Sequence, residues 1–146
     1  MLDYEIISHT ADVKLKAYGA TREELFSNAL NGMFQLMRPI VPSCTIINDR
    51  VVCKSLPITR TVVQYSPDIG ALLVDFLSSA LYLSDVHNEA YFAAEFSSLT
   101  PMSVHAQLRG VAIEGIEAAE IKAVTYHDLE VTRHSNGWQA YLVFDI

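Results

Sequence analysis

The sequence predicts a single α+β domain over residues 1–146, in which mixed or antiparallel β-sheet layers pack against two main helices. Three observations support this fold class. Stretches near both ends alternate apolar and polar residues with the period of half-buried strands, and two longer stretches carry apolar residues at helical spacing. No linker of Pro, Gly and Ser and no internal repeat divides the chain.

The first third of the chain predicts two strands followed by a helix. Residues 2–6 and 13–17 each alternate apolar with charged side chains, as half-buried strands do. Thr21 and Glu24 have the spacing of a capping box, which marks the start of a helix. Apolar residues at helical spacing continue to about Arg38, and Pro39 then stops the helix.

The middle third predicts a small hairpin, one strand and a second helix. Residues 45–47 and 51–53 are expected to form short strands around an Asn48-Asp49 turn, and residues 58–65 are rich in β-formers. The run 66–68, Ser-Pro-Asp, supplies a cap, a proline for the first helical position and a carboxylate near the positive end of the helix dipole. The helix is expected to end near Ser84, and its buried stripe consists of Ile69, Leu72, Leu73, Phe76, Leu77, Ala80 and Leu81.

The last third predicts mostly sheet. Strands are expected over residues 91–96, 103–108, 120–133 and 138–145. Asn136-Gly137 predicts a tight hairpin between the last two, because both residues tolerate the positive φ of such a turn.

Composition limits the classes of function. Seventeen acidic residues against ten Lys and Arg give a formal net charge of −7, which argues against tight, sequence-independent binding of nucleic acid. No stretch approaches the ~20 apolar residues of a membrane span and the start lacks a signal peptide, so we expect a cytoplasmic protein with no membrane partner. Cys44 and Cys53 lack the paired CxxC spacing of zinc or redox sites and are interpreted as reduced, packed thiols. The mean hydropathy of +0.22 hints that a partner or a second copy covers some apolar surface, and self-association stays open.

Signatures of catalysis are missing: the sequence has no phosphate-binding loop, nucleophile elbow, HExxH pair or EF-hand loop. Three polar groups remain as candidates, and each has a structural alternative. Asp12 could bond its own turn, Asp145 could be a hydrated residue of a frayed end, and His127 could be an ordinary structural histidine. The groups are His9 to Asp12, Asp145 with the terminal carboxylate of Ile146, and Lys122 with Thr125, Tyr126 and His127.

Three stretches in this order resemble the archease family. The first covers residues 4–37, with HTADV at 9–13, YG at 18–19, TREELF at 21–26 and GMF at 32–34. The second is KAVTYH at 122–127, which is similar to the family's KAITYH strand. The third is GW at 137–138 with VFDI at 143–146, which resembles the family's C-terminal ending. The resemblance spans almost the whole chain and is strongest at its two ends.

The resemblance implies a small activator of RtcB-type RNA ligases, the enzymes that join tRNA halves in tRNA splicing. Such an activator promotes guanylylation of the ligase and multiple turnover, broadens nucleotide use, and is not itself an enzyme. The family's divalent cation site, assigned to calcium, carries over to Asp12, Asp145 and the main-chain oxygens of Ile146. Hard oxygen ligands of this kind suit Ca²⁺, and also Mg²⁺ or Mn²⁺.

The expected partner is therefore the ligase, and RNA is reached only indirectly through it. His9, Lys122, Thr125 and His127 are candidates for the partner-facing surface around the cation. Two other functions remain open from the sequence. One is a chaperone-like binding module with a structural metal, and the other is a metal-dependent phosphoesterase built on His9, Asp12, His127 and Asp145.

Overall fold

The computed structural model describes residues 2–8 and 12–146, and within them the chain forms eleven strands and two helices. In chain order the elements are β1 (Tyr4–Ser8), β2 (Asp12–Gly19), α1 (Arg22–Met37), β3 (Pro39–Ile40), β4 (Thr45–Ile47), β5 (Arg50–Val52), β6 (Ile58–Tyr65), α2 (Ile69–His87), β7 (Glu89–Leu99), β8 (Ser103–Ala112), β9 (Gly115–Ile116), β10 (Ala123–His134) and β11 (Gly137–Asp145).

Two antiparallel sheets form the framework, with strand orders β1-β2-β11-β10 and β6-β8-β7. Helix α1 packs on β2 of the first sheet and β7 of the second, and α2 packs on β10 of the first and β6 of the second. Each helix therefore contacts both sheets, and the main core lies where sheets and helices meet. The predicted α+β class, with two main helices, is confirmed.

Helix α1 begins and ends where local residues require it. The Thr21 side chain accepts a hydrogen bond of 3.1 Å from the backbone N–H of Glu24, which caps the first turn. At the other end Arg38 adopts the left-handed conformation (φ 51°), and its N–H bonds the carbonyl of Gln35. Because the helix contacts a sheet on two sides, most of its second half is buried.

Helix α2 starts two residues later than predicted, at Ile69 instead of Pro67. Asp68 is its cap and accepts a 2.9 Å hydrogen bond from the N–H of Ala71, so Pro67 lies before the helix. The Ser66 hydroxyl, expected to act in capping, instead donates to the carboxylate of Asp75 at 2.6 Å. The helix also runs past the expected end near Ser84 to His87, where Asn88 in the left-handed conformation bonds the Ser84 carbonyl.

By length and composition alone, the 19 residues of α2, with a mean hydropathy of 1.5, could cross a membrane. In the structure its stripe of Leu72, Leu73, Phe76 and Leu77 is fully buried in the protein core. Core helices of this kind pass the same compositional test.

The β4–β5 hairpin corrects the expectation of reduced thiols. Its turn is at Asn48 and Asp49, as predicted, and both residues have positive φ (51° and 62°). Thr45 pairs with Val52, so Cys44 and Cys53 lie opposite each other at the next position of the hairpin. Their Cα atoms are 4.5 Å apart, and the two residues form a disulfide. Disulfides are rare in cytoplasmic proteins outside hyperthermophiles, and the cytoplasmic location stays a prediction.

The β10–β11 hairpin is present, but its turn lies one residue earlier than predicted. His134 pairs with Gly137, so Ser135 and Asn136 form the turn and Gly137 opens β11. Gly137 has φ +140°, and a Cβ there would lie 2.4 Å from the carbonyl oxygen of Gly19. Glycine is needed at this position both for the backbone conformation and for the close approach of β2.

Candidate functional site

The pairing of β2 with β11 in the sheet β1-β2-β11-β10 brings the N-terminal and C-terminal parts of the chain together. Strand β11 pairs antiparallel with β2, and in this register Asp145 lies directly opposite Asp12. Side chains of directly opposed residues project from the same face of a sheet, with Cβ atoms about 5 Å apart. Asp12 is half-buried and Asp145 is exposed. We call this pair, with the terminal carboxylate of Ile146, the acidic tip.

Apolar alternation fixes the register that creates the tip. Val13 opposes Phe144 and Leu15 opposes Leu142, and all four side chains face the buried core. A slip by one residue would turn this apolar set outward and the two aspartates inward. The same pattern that builds the core therefore places both carboxylates on the outer face.

Neither aspartate has a cationic partner within the described part of the chain, where the ion pairs join arginines and His127 to other acids. Lys14 shares the face and lies diagonally across from Asp145. Its Nζ, however, lies 5.8 Å from the ring centroid of Tyr141, and Lys16 Nζ lies 5.2 Å from the same ring. Two like charges thus face each other, while the ammonium groups of Lys14 and Lys16 contact tyrosine.

The tip offers only hard oxygen donors. Residues 2–8 and 12–146 contain no group of three or more His, Cys, Asp or Glu side chains that could hold a metal, so among these residues a third ligand beside the two aspartates can come from the main chain. The carbonyl oxygen of Asp145 already accepts a 2.7 Å hydrogen bond from the N–H of Lys122. The terminal carboxylate of Ile146 is the next main-chain donor, and the donor chemistry suits a calcium-like ion.

Lys122, the residue before β10, and Thr125 on β10 flank the tip. Ala123 is the cross-strand partner of Asp145, and Thr125 is the partner of Val143 on the same face. The Thr125 hydroxyl donates to the Val143 carbonyl at 3.0 Å and accepts from the His127 N–H at 3.2 Å.

His127 lies further from the tip, where β10 and β11 lose register between Thr125 and Glu130, and its ring Nε2 is 3.5 Å from Asp128. The fourth residue predicted to face a partner, His9, lies outside the described residues.

Sequence reasoning missed a contact that ties this irregular part of β10 to α2. The Tyr126 hydroxyl donates to Asp75 at 2.7 Å, and this hydrogen bond raises the pKa of Tyr126. The same carboxylate accepts from Ser66, so one aspartate joins β10, α2 and the segment before α2. Tyr126 and Asp75 are 51 residues apart, and no local pattern pairs them.

A second missed feature is a cleft of about 680 Å³ between the C-terminal half of α2 and residues 113–124. We call it the α2 cleft. Its apolar lining includes Leu81, Tyr82, Ile113, Ile116 and Ile121, and its polar lining includes Ser78, Asp85, Glu120 and Lys122. Helix packing and strand order create it, and neither can be read from local sequence.

Comparison with known proteins identifies the family. Residues 4–146 match the profile of the Archease protein family (MTH1598/TM1083). The chain is 37% identical over 150 residues to protein archease of Methanosarcina barkeri, covering 98% of this chain and 95% of the relative. It is 31% identical to protein archease of Pyrococcus furiosus, with full coverage of both chains. The chain belongs to the archease family.

Solved structures show that the archease fold extends over the whole chain. The solution structure of Methanobacterium thermoautotrophicum protein 1598 is similar with a TM-score of 0.68 and 24% identity, covering 99% of both chains. A crystal structure from Thermotoga maritima, described as an archease and possible chaperone, is similar with a TM-score of 0.63 and 22% identity, covering 96% of this chain and 94% of that one. The resemblance seen in the sequence is confirmed at the level of family and fold.

Proposed function

We propose that this archease activates an RtcB-type RNA ligase in tRNA splicing by presenting a divalent cation at the acidic tip. In this role it promotes guanylylation and multiple turnover of the ligase and broadens its use of nucleotides. Family membership supports the proposal, and the cross-strand pairing of Asp12 with Asp145 is the observation that carries its mechanism.

The carboxylates of Asp12 and Asp145 and the terminal carboxylate of Ile146 would hold the cation, with Ca²⁺ first and Mg²⁺ or Mn²⁺ as alternatives. Three protein ligands leave coordination positions free for water or for a group of the partner. When bound, the cation supplies positive charge that can order phosphate oxygens during nucleotidyl transfer. The paired strands hold the two carboxylates on one face, and Lys122 and Thr125 lie beside them, where they would face the partner.

The chain acts in this proposal as a cytoplasmic accessory protein and not as the enzyme. Its formal net charge of −7 opposes direct binding of RNA, which is therefore reached through the ligase. An acidic tip is instead suited to a partner site that already contains metal ions or other positive charge.

A mixing experiment tests the proposal. The cognate ligase is given GTP, RNA ends and a substoichiometric amount of the wild-type chain, D12N or D145N, and RNA joining is followed. We expect each variant to lose stimulation by at least about tenfold, since each removes a charged ligand without changing side-chain size. The matched control is D49N, which makes the same change at an exposed hairpin turn and should stimulate like the wild type. Folded D12N and D145N proteins that stimulate as well as D49N would contradict the mechanism.

A chaperone-like role is the second candidate, because large apolar side chains on the β4–β5 hairpin are exposed. Ile46, Ile47 and Val52 are 56%, 53% and 43% exposed. A general chaperone would suppress aggregation of unrelated unfolded proteins, and D12N and D145N would do so equally well. Loss of stimulation in those variants with no effect on unrelated clients would favour the ligase-specific role.

A further inference from the structure

The α2 cleft has a free sheet edge as one wall. Residues 120–124 line it continuously. Lys122 directly precedes β10, and Ala123 and Val124 are the first residues of that strand. In the sheet order β1-β2-β11-β10, the far edge of β10 pairs with no other strand among residues 2–8 and 12–146. An unpaired strand edge is a template for an additional extended segment.

The opposite wall and the floor of the cleft carry apolar side chains between polar ones. Leu81, Ile113 and Ile116 are only partly buried, and they pack against the core from below. Tyr82 stands at the mouth with 68% of its surface exposed. A cleft of about 680 Å³ has room for several side chains of a bound segment.

The charges at the rim indicate which segment would fit. Asp85 and Glu120 are exposed, and neither forms an ion pair within the described ranges. Lys122 is the one cationic side chain among the lining residues. The acidic rim therefore complements a segment that carries Lys or Arg next to apolar residues.

The cleft is also continuous with the acidic tip. Ala123, which lines the cleft, is the cross-strand partner of Asp145, and the Lys122 N–H bonds the Asp145 carbonyl. A protein that approaches the tip closely also comes to the mouth of the cleft.

We propose that the α2 cleft binds an extended, basic segment of the ligase, which adds its main chain to the edge of β10 and places apolar side chains in the cleft. This rests on the proposed function, since it assigns the ligase as the partner. The tip and the cleft then have separate tasks: the tip acts on turnover, and the cleft holds the partner.

The test uses the full chain and the cognate ligase. The double variant D85K/E120K reverses the charge of the rim, and we expect it to weaken ligase affinity by at least about tenfold through like-charge repulsion. Stimulation at saturating concentration should stay close to wild type, because the tip is intact. The control E23K makes one such reversal in the first turn of α1, about 20 Å along that helix from the cleft residue Met37, and should bind normally.

Hydrogen exchange supplies an independent measurement. Ligase binding should protect backbone amides of residues 120–125, as expected when a strand is added at this edge. Normal affinity of D85K/E120K together with unprotected amides would overturn the inference, even if the wild-type chain stimulates the ligase. The same protection in the isolated chain at concentrations where it dimerises would also overturn it, by assigning the cleft to a second copy. If the ligase binds and protects the cleft but is not stimulated, the activator function fails while the cleft assignment stands.

Discussion

Glu89 is a carboxylate inside the protein, only 5% exposed at the start of β7. Both of its oxygens accept hydrogen bonds of 2.9 Å from the Arg60 guanidinium, and the Tyr91 hydroxyl donates a third at 2.8 Å. The bonds from Arg60 lower the pKa of Glu89, whereas burial raises the pKa of Tyr91. The buried charge is thus fully partnered, and it links β6 to β7 across one end of β8.

The lowered pKa makes Glu89 a source of pH-dependent stability. A carboxyl group whose pKa is lower in the folded protein stabilises the fold above its unfolded pKa, and this stabilisation is lost as the pH falls through the folded value. We expect E89Q to lower the free energy of unfolding at pH 7 by about 2 kcal/mol, because the hydrogen bonds to a charged acceptor are weakened. Urea denaturation measures the free energy of unfolding of both proteins. The difference between wild type and E89Q should become smaller as the pH is lowered from 5 toward 3.

The control for this prediction is E95Q. Glu95 also pairs with an arginine, Arg109, but its side chain is 67% exposed. Exposed pairs contribute about 0.5 kcal/mol or less, so E95Q should match the wild type at every pH. If the free energy of unfolding of E89Q stayed parallel to that of the wild type between pH 7 and pH 3, Glu89 would not be a source of pH-dependent stability.

At the scale of elements, the β4–β5 hairpin is attached to the protein by side chains. The buried amide of Gln35 in α1 donates to the Val51 carbonyl at 2.9 Å and accepts from the Val51 N–H at 2.8 Å. The helix side chain thereby takes the place of a neighbouring strand for one residue of β5. Arg50 adds a 3.0 Å ion pair with Asp3 and stacks on Tyr4 with its guanidinium 4.5 Å from the ring centroid.

The disulfide of this hairpin closes a short loop, and its removal should have a limited effect. Cys44 and Cys53 are nine residues apart, for which loop-closure entropy predicts a loss of at most about 3 kcal/mol. We expect C44A/C53A to unfold at lower denaturant concentration with its fold unchanged. Mass spectrometry with a thiol-alkylating reagent, before and after reduction, shows whether the thiols are paired in the purified protein. The neighbouring substitution S43A serves as the control, and labelling of both cysteines in the unreduced, unfolded chain would show that the bridge is absent.

Sequence alone could predict those elements whose signals are local. Thr21 and Glu24 specify the start of α1, and Asn48-Asp49 specifies the turn of the small hairpin, since the interacting groups lie within three residues of each other. The cap of α2 was harder to predict because Ser66 and Asp68 are both capping residues. A contact of Ser66 with Asp75, inside the helix, decides between them.

Contacts that depend on strand order lie beyond local reasoning. Alternation places Asp145 on a strand and Asp12 in the bend just before one, but only the pairing of β2 with β11 makes them neighbours. Family resemblance suggested their common role before any geometry did. The cysteines show the same limit, since their pairing follows from the register of β4 and β5 and not from their spacing in the sequence.

At the scale of the whole molecule, the pairing of β2 with β11 places Asp12 next to the chain terminus. In the proposed cation site, the terminal carboxylate of Ile146 is the third anionic group beside the two aspartates. We expect a C-terminal peptide tag, which converts this carboxylate into an amide, to weaken calcium affinity by about tenfold, because affinity follows the number of charged ligands. Isothermal titration calorimetry of the tagged and untagged proteins measures the change.

An untagged protein prepared by proteolytic removal of an N-terminal tag is the proper reference, because it ends at Ile146 with a free carboxylate. Equal calcium affinity in the tagged and untagged proteins would exclude Ile146 as a ligand. If D12N and D145N lost calcium binding while the tagged protein kept it, the two aspartates alone would supply the protein ligands of the site.

The opposition of Asp12 and Asp145 also has a thermodynamic consequence. Two like charges on directly opposed strand residues work against the pairing of β2 with β11, and this pairing joins the N-terminal strands β1 and β2 to the C-terminal strands β10 and β11. A cation that binds between them relieves that repulsion. By mass action, the folded state then gains stability as the concentration of the cation rises. Closure of the domain is therefore coupled to the ionic composition of its surroundings.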